Sequence, residues 1–234
     1  PSISIDRSDI VYSFSGIRPL PRADESAPGF VSRDYRIEHG WLDGGVRTLS
    51  LVGGKWTTFR ALAEHLGDET LQLLGKRRAV STRATVLGGG AGFPRDRASR
   101  RIWIAKHGGG HDPELVARLL DRYGTRATEL LSSFPPAPAS PTELRTAPGY
   151  FVEEHAHLAA RDNVLHLDDV LLRRTSIAFV GGLSRETLEE VASAIAPVLD
   201  WDEARVQDEV DRGERILRER HRVELGRRGI APLP

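Results

Sequence analysis

The stretch that most restricts what this chain can fold into is Gly53-Gly54-Lys55-Trp56-Thr57-Thr58-Phe59-Arg60, which follows the apolar run Thr48-Leu49-Ser50-Leu51-Val52. The apolar run reads as a strand and the paired glycines as a turn. Leu62, Leu66, Leu71 and Leu74 then form one face of a helix with Gly67 as a point of interruption, a helix expected to lie on the sheet. A helix that begins just after glycines leaves its first backbone N–H groups unpaired and unshielded by side chains. Such a start is suited to receiving an anion.

Two further strands are expected upstream, at residues 10–14 (Ile-Val-Tyr-Ser-Phe) and 30–38. Near residue 80 the pattern changes from alternation and glycine turns to helical periodicity. This divides the chain into a mixed α/β unit, 1–80, and an all-α unit, 81–234. Helices are expected over 97–106, 113–123, 127–133, 150–161, 167–174, 185–199 and 201 to about 225. Asp112-Pro113-Glu114 combines an N-cap acid, proline at the first position and an acid in the first turn. In the 185–199 helix Leu188, Val191, Ala192, Ile195, Val198 and Leu199 share one face. The last helix carries only a narrow apolar stripe, Val206, Val210 and Leu217, and is expected on the surface. The proline-rich run from Phe134 to Pro141 reads as a turn inside the helical unit.

Three motifs occur in a fixed order: Ser15-Gly16-Ile17-Arg18-Pro19-Leu20, Ser32-Arg33-Asp34-Tyr35 and the glycine turn itself. Val86-Leu87-Gly88-Gly89 and Leu172-Arg173-Arg174-Thr175 follow. In these motifs the chain resembles the FAD-dependent glycerol-3-phosphate dehydrogenases. The resemblance implies a fold of class α+β/α: the C-terminal piece of an FAD-dependent oxidoreductase α/β domain followed by an all-α domain. A complete member begins with a Gly-x-Gly-x-x-Gly strand, turn and helix. Gly88-Gly89-Gly90-Ala91-Gly92-Phe93 places phenylalanine at the third glycine and precedes Pro94, so it reads as a linker loop. The chain also starts at Pro1 and has no methionine. The expectation is a C-terminal portion of a longer protein, with the N-terminal FAD-binding portion lying upstream.

For the parent, the resemblance implies oxidation of glycerol 3-phosphate to dihydroxyacetone phosphate, with FAD as cofactor and a quinone as electron acceptor. Arg18, held extended by Pro19, can grip a phosphate at two points, and the family's matching arginine lies in the substrate pocket. Arg33 is the second candidate phosphate contact, with Asp34 as an ion-pair alternative. Lys55 would place fixed positive charge near the flavin ring or the substrate, assisting hydride transfer. Gly53, Gly54, Trp56, Thr57 and Thr58 complete the cofactor-facing set; Thr57 and Thr58 read equally well as capping residues. Trp56 stands where the family motif has a smaller aliphatic residue.

No general base is assigned among the eight histidines. His39 and His65 read as surface or packing residues, and the family's catalytic histidine belongs to the upstream half. His107 and His111 flank three glycines beside Asp112, and Glu154 and His157 lie three apart on a helix. Neither set has the further ligands a metal site needs, so both read as structural.

Lys+Arg 33 against Asp+Glu 33 gives a formal net charge of zero, which argues against nucleic acid as a partner. Lys76-Arg77-Arg78 reads as favourable charge at a helix end. Absence of cysteine excludes disulfides and thiol chemistry. No run approaches the roughly 20 apolar residues of a membrane-spanning helix. A cytoplasmic location, with peripheral attachment at the inner face of the plasma membrane, follows from the resemblance alone. A homodimer is left open, as are two other functions: a glycerol-3-phosphate oxidase using oxygen, and a noncatalytic helical interaction module.

Overall fold

A computed structural model describes residues 6–17 and 34–226. The chain falls into two units: Gly16–Leu87, and a larger one that combines the described parts of Pro1–Ser15 and Gly88–Pro234.

In the smaller unit, β1 (Arg36–Leu42) and β2 (Val46–Val52) form an antiparallel hairpin in which Leu42 faces Val46 and Arg36 faces Val52. Gly44 and Gly45, at φ 86° and 78°, supply the left-handed backbone that a tight hairpin turn requires. Helix α1 (Phe59–Leu73) runs through Gly67 without interruption. It meets the hairpin through polar contacts: His39 Nε2 lies 2.7 Å from Glu69 Oε2, and Tyr35 Oη 3.0 Å from His65 Nδ1. Past the helix the chain folds back. Arg78 grips Asp68 at 2.8 and 3.0 Å, and Glu64 accepts the hydroxyls of Ser81 and Thr82, each at 2.8 Å. Those hydroxyl donors, Thr82 foremost, bring the Glu64 carboxyl down to about 2. Every described residue of this unit retains solvent exposure.

The larger unit is helical: α2 (Arg97–His107), α3 (Pro113–Tyr123), α4 (Ala127–Leu131), α5 (Val152–Arg161), α6 (Leu167–Asp169), α7 (Arg185–Ile195) and α8 (Glu203–His221). Side chains at the helix starts explain where they begin. Asp96 accepts the Ser99 N–H at 2.8 Å, Asp112 that of Glu114 at 3.1 Å, Ser184 that of Thr187 at 3.1 Å and Asp202 that of Arg205 at 2.8 Å. The expected continuous helix over 167–174 is instead the short α6 followed by a π-helical turn, Val170–Arg174.

Two apolar clusters fill this unit. Trp103, Leu115, Val116, Leu119, Leu120, Leu130 and Phe134 pack in the α2–α4 region together with Phe151. Leu167, Val170, Leu171, Leu188, Val191, Ile195, Val210 and Leu217 are among those packed by α6 to α8. Burying one such side chain contributes roughly 1.5–3 kcal/mol.

The segment 10–14, expected as a strand, forms no strand pairing among the described residues. Of its alternating apolar residues Tyr12 lies on the helical unit, stacked on His221 with ring centroids 4.8 Å apart and 4.6 Å from Phe179, while Ile10 and Phe14 are exposed. The Ser13 N–H donates to the His221 carbonyl at 2.9 Å, and His221 Nδ1 lies 3.1 Å from the Ser13 carbonyl oxygen. The second expected strand begins at Arg36. Residues 30–33 lie outside the described residues.

Buried carboxylates tie the helices together. Glu154, fully enclosed, accepts from Arg122 at 3.0 and 3.1 Å, from the Tyr123 hydroxyl at 2.6 Å and from the Phe151 N–H at 3.3 Å. Burial first, and then the Glu154 charge, push the Tyr123 phenol far above its ordinary value. Glu209 on α8, expected on a surface helix, is buried and accepts the Leu167 N–H at 2.9 Å, while His166 Nδ1 lies 2.8 Å away. Asp168 is bridged by Arg173 at 2.8 Å and by Arg212. Burial works to raise its carboxyl, but these two guanidinium bonds outweigh burial and leave it lowered. His155 is buried: Nδ1–H donates to the Phe151 carbonyl at 2.8 Å, Nε2 has no hydrogen-bond partner among the described residues, and desolvation lowers its affinity for a proton.

Glu154→Ala strands the Arg122 and Tyr123 donors and is expected to cost about 3 kcal/mol in denaturant unfolding, with Glu154→Gln costing less. The lowered His155 pKa means that the unfolded chain binds more protons below its ordinary value of about 6.5. Stability should therefore fall as pH drops from 7 toward 5. His155→Leu should flatten that slope in a melting-temperature series, because the Phe151 carbonyl keeps the His155 backbone N–H as partner.

Candidate functional site

The glycine turn leaves β2 at Val52. Gly53 and Gly54 take φ of 80° and 105°, both in the region that glycine alone enters easily. A Cβ on Gly53 would sit 2.8 Å from the Asp34 carbonyl oxygen, and one on Gly54 3.2 Å from Leu62 Cδ1. Lys55 is extended, and a 3₁₀ turn, Trp56–Thr58, leads into α1. No side chain caps either the 3₁₀ turn or α1. The Thr58 hydroxyl instead donates back to the Lys55 carbonyl at 3.1 Å. Thr58 stands at the N-cap position of α1, but its hydroxyl makes no capping bond.

The turn is open and positively charged. Lys55 Nζ lies 3.9 Å from Asp34 Oδ1, a loose contact between exposed groups worth at most about 1 kcal/mol. Trp56 is 88% exposed and Phe59 53%. The Thr58 and Phe59 N–H groups are taken by the carbonyls of Lys55 and Trp56, and the uncapped 3₁₀ turn, its glycine approach and a half-exposed ammonium suit an anionic group. The structure brings Gly53, Gly54, Lys55, Trp56, Thr57 and Thr58 together by sequence adjacency. Arg18 and Arg33 lie outside the described residues.

The histidines take structural places. His107 ends α2 with its ring 4.9 Å from Trp103, and His111 meets the Phe134 ring edge-on at 6.1 Å. Glu154, half of the weighed metal pair, is engaged by Arg122 and Tyr123. Among the described residues no group of three or more histidine, aspartate or glutamate side chains is arranged to hold a metal ion. No helix among them is long and apolar enough to cross a membrane.

The sequence reading passed over a second polar constellation, formed by Arg122, Tyr150 and the Arg173-Arg174 pair around one cleft. Adjacent arginines at the end of an apolar run were the one available signal.

Residues 80–206 match the family described as the C-terminal domain of alpha-glycerophosphate oxidase, and the chain belongs to that family. Over 209 residues the chain is 30% identical to glycerol-3-phosphate dehydrogenase 2 of Mycobacterium tuberculosis (strain ATCC 25618 / H37Rv), covering 88% of this chain and 34% of that protein. It is 30% identical over 187 residues to glycerol-3-phosphate dehydrogenase of Synechocystis sp., covering 77% and 32%. The mitochondrial glycerol-3-phosphate dehydrogenase of Rattus norvegicus is 26% identical over 221 residues, covering 92% and 29%. The chain thus spans about a third of the length of these curated relatives.

Gly53→Ala forces a side chain into left-handed backbone against the Asp34 carbonyl. It is expected to destabilise the turn by about 1 to 3 kcal/mol, read as faster amide hydrogen exchange at the start of α1.

Proposed function

We propose that this chain is part of an FAD-dependent sn-glycerol-3-phosphate dehydrogenase that oxidises glycerol 3-phosphate to dihydroxyacetone phosphate and passes the electrons to a quinone. The observation that carries this reading is the similarity, over 88% of the chain, to a protein named glycerol-3-phosphate dehydrogenase. The open glycine turn supports it. Exposed Trp41, Trp56 and Phe59, on a unit with no buried residue among the described ones, suit a surface that packs against the rest of an oxidoreductase α/β domain. Residues 81–234 are the helical domain that follows in the chain. Peripheral attachment at the inner face of the plasma membrane goes with the quinone.

In this reading Arg18 and Arg33 bind the substrate phosphate through charge-assisted hydrogen bonds. Bound flavin supplies the hydride acceptor. The Lys55 ammonium and the uncapped 3₁₀ turn that leads into α1 contribute fixed positive charge where negative charge develops, which lowers the barrier without reorganisation. Gly53 and Gly54 keep side chains out of that approach. A proton acceptor for the substrate hydroxyl comes from upstream sequence.

The family description, which names an oxidase, favours a second reading in which oxygen takes the electrons. Peroxide production in place of quinone reduction separates the two.

The test is anaerobic titration with glycerol 3-phosphate of the protein expressed with its upstream sequence. Bleaching of the flavin band supports the reading, and a folded but colourless protein would turn it toward a noncatalytic module. In that longer protein Arg18→Ala should raise the KM for glycerol 3-phosphate, a loss of about 2 to 4 kcal/mol in apparent transition-state binding, with flavin retained. Lys55→Ala should act mainly on kcat.

A further inference from the structure

The motif Leu172-Arg173-Arg174-Thr175 has no part in the chemistry above, yet its arginines stand at a cleft of about 440 Å3 inside the larger unit, shared with Arg122, Tyr150 and Ser176. Three guanidinium groups converge there from two elements. Arg122 belongs to the last turn of α3, and Arg173 and Arg174 to the π-helical turn. Single π turns are rare and frequently mark functional positions.

Each guanidinium is held in place with donors to spare. Arg122 uses Nη1 for the Gly149 carbonyl and Glu154, and its plane lies 3.6 Å from the Tyr150 ring centroid. Its Nε and Nη2 make no hydrogen bond among the described residues. Arg173 uses Nη1 for Asp168 and Asp169, and its Nε and Nη2 are likewise unengaged. Arg174 donates from Nε and Nη2 to the Asp162 carbonyl at 2.9 and 2.6 Å. Its partners among the described residues are carbonyl oxygens, with no carboxylate paired to its charge among them. Asp121, also at the cleft, is bound by Arg100 at 2.6 and 2.7 Å.

Hydroxyls complete the lining. The Tyr150 oxygen accepts the Ser176 N–H at 3.2 Å, which leaves its own proton to donate. The Ser176 hydroxyl has no partner among the described residues. The cleft therefore offers fixed cations and neutral donors, and the Asp121, Glu154, Asp168 and Asp169 carboxylates are each engaged by arginine. Rigid guanidinium groups bind tetrahedral oxyanions at two points with little ordering cost.

We propose that this cleft binds a phosphate group, as free phosphate, a soluble phosphomonoester or the headgroup of an anionic lipid. The proposal stands independently of the dehydrogenase reading, because every residue it uses lies in the helical unit and none belongs to the glycine turn.

The test is calorimetric titration of the full chain with sodium phosphate at constant low ionic strength, beside co-sedimentation with phosphatidylglycerol and phosphatidylcholine vesicles. A dissociation constant on the order of 1 mM is expected for inorganic phosphate. Ser176→Asp brings a negative charge to an exposed position outside regular helix and should weaken binding at least about tenfold, as should Arg174→Gln. Arg174 also braces the Asp162 carbonyl; should Arg174→Gln fail to fold, Ser176→Asp decides alone. Arg145→Gln, a surface control bonded to Glu186, should leave binding unchanged. Phosphate titration sensitive to Ser176→Asp supports a soluble ligand. Sedimentation with phosphatidylglycerol alone, lost in Ser176→Asp, supports a headgroup. Binding in neither assay, or binding equally strong in Ser176→Asp, overturns the proposal.

Discussion

The fully enclosed Glu154 carboxylate is the constraint on which the helical unit turns. An ionised group removed from water is tolerable only with partners on its oxygens, and Glu154 has Arg122, Tyr123 and the Phe151 N–H. These come from α3 and from the start of α5, so one side chain fastens the α2–α4 cluster to the rest of the unit. Two consequences run outward. Tyr123 is kept as the neutral phenol, and Arg122 is pinned across the Tyr150 ring, which fixes one wall of the arginine cleft. Glu209 does the same work at the other end, clamping α8 onto the start of α6.

The two units are stabilised by different means. The larger one rests on apolar burial, with polar nodes that fix helix positions. The smaller one relies on a hairpin ladder, a partly covered helix face and exposed ion pairs such as Arg78 with Asp68, which solvent weakens. With no buried residue among its described ones, it is expected to open more readily than the helical unit, a property common in elements that must admit a ligand.

Much of this was legible in the residues. Asp112-Pro113-Glu114 set the start of α3, and the spacing from Leu188 to Ile195 set the buried face of α7, because capping and periodicity are local. The glycine turn was legible for the same reason: positive φ at Gly53 and Gly54 is a property of glycine itself. What failed was non-local. Ile10, Tyr12 and Phe14 alternate as a strand does, but alternation does not say whether the neighbour is another strand or the end of α8. Glu154 and Glu209 look like ordinary surface acids in helices until their partners arrive from elsewhere in the chain. Nor does the sequence announce that Val170–Arg174 widens into a π turn and carries two arginines to the same cleft as Arg122.

The bond between Ser13 and His221 spans 208 positions of sequence. A second anchor joins the Thr125 N–H to the Gly89 carbonyl at 2.8 Å. Both belong to the larger unit, so Gly16–Leu87 is an insertion whose entry and exit are fastened to one helical body. A protease cut inside the insertion would leave each half still attached to the helical unit. Closure of that excursion is already met by the helices, which lowers the entropy cost of ordering so lightly buried a segment.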